Sequence, residues 1–508
     1  MSPARSLPLV IAVLATACAP RRDPGAIPAE VVKEPVRLMA LPDPESPNLY
    51  LQAIVGAGSA HDATGQEGLG HLTAQALVEA GAGDRSANDV RDALYPTGNG
   101  LQVVVDKEWV SLRLRCHVDH TDLCIELFAD VLTAPRFDEA DVIRLREEAE
   151  FAVSEGILGD EEALGEAVFH SVLYEGHPYA HPIAGRAGVL PTLDASDTRA
   201  FHDAFYVRRN MVVGIAGAFS PEAKATLQQR LEAVPGMPTP DAARMAAPAR
   251  EGRSLTVVST GTPVTGFHAG HLIELDRNHA DWPALHLAMT TIGAHRQSFG
   301  RLFRSIRSER GLNYGDYAYV EPYVQQGWSP TPENGVLRTT NHFYLWLRPT
   351  STENGAFALK LALHELDLLL DAGLTQEEFV RTVSYLQGTI PLLARDPGRR
   401  LAFALDAEAM GVPNMLETLP PALDSLTVEQ VNDALRRHLR PDDLTIVAVS
   451  GDAEGLSQIL VGGDETAIVY ADVTPSETQA AVDAEVAKRD VGLEDADVVV
   501  VPAEGIFQ

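Results

Sequence analysis

Phe201-His202-Asp203-Ala204-Phe205 leads through Arg209-Asn210 into Met211-Val212-Val213-Gly214-Ile215-Ala216-Gly217. Near the other end of the chain, Leu435-Arg436-Arg437-His438-Leu439 leads through Pro441-Asp442 into Leu444-Thr445-Ile446-Val447-Ala448-Val449-Ser450-Gly451. Each run reads as a helix, a turn and a buried, β-branched strand that stops at a glycine. A second pair points the same way: Phe137-Asp138-Glu139-Ala140-Asp141-Val142 and Leu374-Thr375-Gln376-Glu377-Glu378-Phe379 each put an acidic first turn on a helix after a loop. Both pairs are offset by roughly 235 residues, far beyond a solenoid period, so two similar domains are expected. Within each half, strands such as Asn48 to Val55 and Trp109 to Cys116 mix with amphipathic helices such as Leu123 to Leu132 and Ala356 to Leu370. An α/β or α+β class follows.

Around this duplication the chain divides readily. Its 508 residues carry 40 Lys+Arg against 71 Asp+Glu, a net charge of −31 that argues against nucleic acid as a partner. The 45 % hydrophobic content is ample for cores, and 3 Cys exclude a disulfide-stapled miniprotein, Cys-rich zinc modules and iron–sulfur ferredoxins. Residues 1–18 read as an export signal: Arg5 supplies charge, Leu7 to Ala17 are apolar but too short to span a bilayer, and small residues precede Cys18. Leu14-Ala15-Thr16-Ala17-Cys18 resembles the bacterial lipoprotein box, with Leu four residues before the Cys where three is usual. The expectation is lipidation at Cys18 and a membrane anchor, an ordinary cleavable signal with an incidental Cys being the alternative. Residues 19–36 form a tether, 37–234 the N-terminal domain, 235–253 a Pro-, Ala- and Arg-rich linker and 254–470 the C-terminal domain. Residues 471–508 are an acidic C-terminal tail, or a strap packed on the body.

Chemistry is sought first at Gly68-Leu69-Gly70-His71-Leu72-Thr73-Ala74-Gln75. A zinc peptidase of the inverted type needs His-x-x-Glu-His on a helix, the two His on one face holding the metal and the Glu taking a proton from bound water. After His71 the base position is Ala74 and the second ligand position is Gln75. A methyl group is no base, and a neutral amide is a poor zinc ligand. Taken alone, His71 reads as an ordinary helix residue.

The surroundings nonetheless resemble the insulinase/pitrilysin family of zinc metallopeptidases, the inverzincins, and among them the two-domain members similar to mitochondrial processing peptidase subunits. The matching stretches are Leu132-Thr133-Ala134-Pro135-Arg136-Phe137-Asp138-Glu139, Leu173-Tyr174-Glu175-Gly176-His177-Pro178-Tyr179 and Phe299-Gly300-Arg301-Leu302-Phe303-Arg304-Ser305-Ile306-Arg307-Ser308-Glu309-Arg310-Gly311-Leu312-Asn313-Tyr314. They occur in the family's order from about Val36 to about Leu460. The resemblance implies an α+β fold of two homologous domains, each a mainly antiparallel sheet packed with helices, arranged as a clamshell.

The resemblance also implies a third zinc ligand, a Glu on a later helix, but the equivalent position falls near Ala152 or Val153. Glu150 and Glu155 are close enough for a shifted register to supply a carboxylate. With Ala74 and Gln75 this makes the zinc centre vestigial, with no metal and no intact catalytic residue expected in this chain. In the family an Arg and a Tyr seven residues apart hold substrate carbonyls near the scissile bond; here these are Arg307 and Tyr314. The expected helix Phe299 to Arg310, closed by Gly311, puts Arg301, Arg304 and Arg307 on a basic face, whose bland alternative is simple solvation.

Other candidates are weaker. Cys116-His117-x-x-His120-x-x-x-Cys124 has metal-ligand residue types, but alternation places Cys116 and His117 on opposite faces of a strand; a Cys116–Cys124 disulfide after export is the other option. His177, His181, His268 and His271 read as structural or surface residues. The leading functional expectation is an exported lipoprotein of the bacterial envelope, facing the periplasm from the outer membrane. It would be the noncatalytic, substrate-holding subunit of a heterodimeric peptidase, with zinc in an active partner of the same family and a peptide as substrate. The alternatives are a self-sufficient metalloendopeptidase with atypical ligands and a nonproteolytic scaffold.

Overall fold

A computed structural model describes residues 34–239, 251–324, 333–471 and 473–508. The signal ending at Cys18, nearly all of the tether and residues 240–250 of the linker lie outside them. The first sheet comprises β1 (Arg37–Pro42), β2 (Asn48–Val55), β3 (Leu101–Val105), β4 (Val110–His117) and β5 (Met211–Gly217), in the order β1-β5-β2-β4-β3. The second comprises β6 (Ser254–Ser259), β7 (Val264–Ile273), β8 (Asp316–Tyr319), β9 (Asn341–Ser351), β10 (Thr445–Ser450) and β11 (Val498–Pro502), in the order β11-β6-β10-β7-β9-β8. Without β11 the two sheets have one topology. In each, the first strand runs parallel to the last-formed strand, and every other pairing is antiparallel. The duplicated runs that open the sequence argument are β5 and β10, each preceded by its helix, Ala195–Phe205 or Val428–His438.

Every residue of β5 and of β10 is buried. A half-solvated strand would alternate, so a continuous apolar run requires cover on both faces. The cover is exchanged between halves. Helix Glu161–Leu173 of the first half packs on β7, β9 and β10, and helix Pro397–Met410 of the second packs on β1, β2 and β5. Both helices begin at an aspartate N-cap: Asp160 accepts from the Glu162 and Ala163 backbone N–H groups, Asp396 from that of Arg399. Near each helix start a glycine allows close approach, since a Cβ on Gly165 would collide with the His268 ring and one on Gly398 with the Tyr50 ring. Leu401 and Leu405 then pack with Ile54, Val212 and Ala216. The result is an α+β clamshell of two domains, each lending the other a helix.

The C-terminal stretch is a strap. Helix Glu477–Ala487 is pinned by Arg310, whose Nε donates to Asp483 at 2.8 Å with both side chains buried. β11 then pairs with β6, and the Phe507 carbonyl accepts from the Ala187 N–H of the first domain at 3.0 Å.

The expected helix from Phe299 needs a correction. Regular backbone starts at Arg301, and Phe303–Ser308 forms a π-helical turn before Gly311, at φ 67°, ends it. Leu302 and Ile306 are fully buried as expected, whereas Phe299 and Phe303 are only half-buried. Arg301 is not solvated: its Nε and Nη2 donate to Glu378 at 2.7 and 2.6 Å, and Arg304 approaches the same carboxylate at 3.6 Å.

Candidate functional site

Helix Leu69–Glu79 is positioned by its N-terminus. Asp62 accepts from the Gly68 and Gly70 N–H groups, both at 2.7 Å, satisfying donors that no helical carbonyl reaches. Gly68 sits at φ 107°, where a side chain would also strike the Ala184 carbonyl. Burial raises the Asp62 carboxyl to about 7 against the lowering pull of these bonds.

His71 follows in the first turn. Its Nδ1 is buried with no hydrogen-bond partner, and desolvation lowers the imidazole to about 4, which keeps it neutral. A neutral imidazole suits a metal, but its neighbours do not. Ala74 is fully buried among apolar side chains and Gln75 is half-buried. The helix packs on Glu139–Phe151, which passes directly into a second π-helical turn, Ala152–Ile157. Within that turn Ala152 and Glu155 are exposed and Val153 is buried, while Glu150 is half-buried one turn earlier. Among the described residues, the three-donor group within 4.8 Å is His279, Asp281 and His438; neither Glu150 nor Glu155 forms such a group with His71. One imidazole, a methyl and an amide do not fit a catalytic zinc, which takes three imidazole, thiolate or carboxylate ligands and keeps its fourth position for water.

Arg307 and Tyr314 are brought together. Arg307 Nη1 donates to the Tyr314 backbone carbonyl at 2.8 Å, and the guanidinium lies 5.2 Å from the Tyr314 ring centroid and 4.8 Å from that of Phe303. The π turn matters here, because it rotates Arg307 relative to a regular helix. Tyr314 is 74 % exposed, an unusual position for an aromatic ring. Among the described residues no hydrogen bond, ion pair or ring contact joins either residue to the His71 helix.

The remaining candidates resolve differently. Cys116 and Cys124 form a disulfide, with Cys116 buried and His117 exposed on opposite faces of β4. None of the four histidines read as structural or surface is on the surface: His177, His181, His268 and His271 are all buried. His268 Nδ1 meets the Tyr344 hydroxyl at 2.5 Å, and His271 Nε2 accepts from the Arg440 N–H at 3.0 Å.

Sequence reading missed a polar cluster between the domains. Arg338, just before β9, donates to both Asp106 oxygens, and the Tyr174 hydroxyl meets His342 Nδ1 at 2.9 Å. Asp106-Lys107-Glu108 reads as an ordinary charged hairpin turn, and nothing local signals that the other domain buries it.

The comparisons agree with this arrangement. Residues 38–186 match the insulinase family model (peptidase family M16), and residues 192–386 match the peptidase M16 inactive domain. An uncharacterized zinc protease of Streptomyces coelicolor is 26 % identical over 67 % of this chain and 71 % of its own length. A non-peptidase homolog, YmxG of Helicobacter pylori, is 22 % identical over 78 % of this chain and 88 % of its own. The crystal structure of a peptidase M16 inactive domain from Pseudomonas fluorescens superposes with a TM-score of 0.72 and 25 % identity, covering 83 % of this chain and 97 % of that one. With two family models matching in order across both domains, and the inverted motif present only as His71, Ala74 and Gln75, this chain belongs to the insulinase/pitrilysin family and carries a degenerate zinc motif.

Proposed function

We propose that the chain is the noncatalytic, substrate-holding subunit of a heterodimeric zinc peptidase that acts on peptides. The observation that carries this reading is the contrast within one chain. The helix that should hold zinc has Ala74 and Gln75 in place of base and ligand, while Arg307 and Tyr314 are mutually braced with the tyrosine ring outside the protein. Arg307 commits one N–H to the Tyr314 carbonyl, so its other donors and the phenol remain for the backbone carbonyls of a bound peptide. In a partner's active site such donors orient the scissile bond and stabilise developing oxyanion charge. The relatives described as an inactive domain and a non-peptidase homolog support a noncatalytic role.

The cysteines support export. Cys116 and Cys124 pair, a bond expected in an oxidising compartment, and leave Cys18 as the third cysteine, at the end of the signal-like segment. We place the protein on the outer membrane through a lipid at Cys18, facing the periplasm. A scaffold role is the second reading, favoured by how tightly the two domains interlock. Copurification with an active family member separates them: cleavage of a peptide by that partner should be faster with this chain than alone. Equal rates would favour the scaffold.

A further inference from the structure

Between the domains lies a cavity of about 360 Å³, lined by neither the His71 helix nor the Arg307–Tyr314 pair. Its size falls within the range of small-molecule sites. Helix Glu161–Leu173 and the β3–β4 turn form one wall, β8, β9 and the residues flanking them the other.

The protein's own bonding leaves polar groups on these walls unused. Arg338, 5 % exposed, spends Nε and Nη2 on Asp106 and leaves Nη1 buried with no acceptor. Lys107, 2 % exposed, gives Nζ to the His181 carbonyl and retains two further N–H donors. The Trp346 indole N–H and the Tyr323 hydroxyl are also buried without partners. Glu166 faces the same space and is accessible through it, yet makes no hydrogen bond to the protein. Desolvation raises its pKa and lowers that of Lys107 to about 7, and the attraction between the two groups offsets this only in part.

The arrangement of charge discriminates among ligands. Arg338 and Asp106 cancel, which leaves Lys107 and Glu166 as opposite charges that feel each other without forming an ion pair. A simple cation would leave the Arg338 and Lys107 donors unmet, and a simple anion would be repelled by Glu166. A molecule carrying both charges meets both sets. Tyr319 and Tyr323, stacked with centroids 4.6 Å apart, and Tyr344 add aromatic faces that attract an ammonium group and cover an apolar side chain.

The geometry points to a binding site for a small zwitterion, a free amino acid or dipeptide, with its ammonium at Glu166 and its carboxylate on Arg338 Nη1 and Lys107. The site is independent of the helper reading and stands if that reading fails. Calorimetric titration of the purified full-length chain with phenylalanine and glycyl-phenylalanine tests it. Saturable binding is expected, with the N-acetyl and C-amide forms of the dipeptide each binding at least about tenfold more weakly, because each removes one of the two charges. Glu166→Gln, an isosteric change at an accessible residue, should weaken the dipeptide to the same degree and abolish discrimination against the N-acetyl form. Absence of saturable heat up to about 10 mM of either probe would overturn the assignment. So would equal binding of the blocked and free dipeptides to the unaltered chain, a comparison that needs no variant.

Discussion

Arg338 Nε and Nη2 each donate to a separate oxygen of Asp106 at 2.7 Å, and both side chains are buried. The pair joins the strand-leading segment of one domain to the β3–β4 turn of the other. Removing one member of a buried pair strands the other charge, at a cost of about 3–5 kcal/mol. Arg338→Ala should therefore lower unfolding stability by roughly that amount in urea titrations, and Arg338→Met with Asp106→Leu by much less. Equal losses from the single and double variants would contradict this.

Asp316 supplies a pH dependence. Burial pushes its carboxyl up to about 8, against the lowering effects of Asn313 and Arg348, and its Oδ2 has no partner. The folded state thus holds a proton that the unfolded chain, with a carboxyl near 3.9, has released. Stability from this group is present in full below about pH 4 and is lost as pH rises through about 8. Asp316→Asn removes that slope, so the variant should gain on the parent by at least about 1 kcal/mol between pH 5 and pH 8.5. Parallel stability curves would refute the assignment.

The chain should carry no stoichiometric zinc at the His71 helix. Metal analysis after dialysis is the measurement, with His71→Ala as control: a tightly held zinc that disappears in this variant would show that the motif still binds metal. Ala74→Glu with Gln75→His should not create peptidase activity, because the third ligand position implied by the family resemblance falls near Ala152 or Val153. Turnover by that double variant would place Glu150 or Glu155 in register.

Arg307→Ala or Tyr314→Phe should lower kcat of the reconstituted pair by about 10²–10³, the usual loss for an oxyanion or carbonyl donor, without abolishing assembly. Copurification reports assembly and peptide cleavage reports rate. If both variants leave the partner's rate unchanged, the substrate-holding role is wrong.

Cys18→Ser should release the exported protein from the membrane fraction into the soluble one. A parent chain already soluble after export would replace the lipoprotein reading by an ordinary cleaved signal.

Residues close in sequence determined the duplication, the strands and the motif. β2 spans Asn48–Val55 as its pattern predicts, the helix around His71 starts after Gly68, and Ala74 and Gln75 make the zinc motif degenerate by residue type alone. Those features depend on backbone periodicity and on what a single side chain can donate, both written locally. Tertiary structure decided the rest. Only packing shows that helices Glu161–Leu173 and Pro397–Met410 are exchanged between sheets, or that the acidic C-terminal stretch adds β11 to the second sheet. Only burial by the opposite domain turns Asp106 and Lys107 from hairpin-turn charges into cavity walls, because desolvation depends on what lies across space, and local spacing carries no record of it.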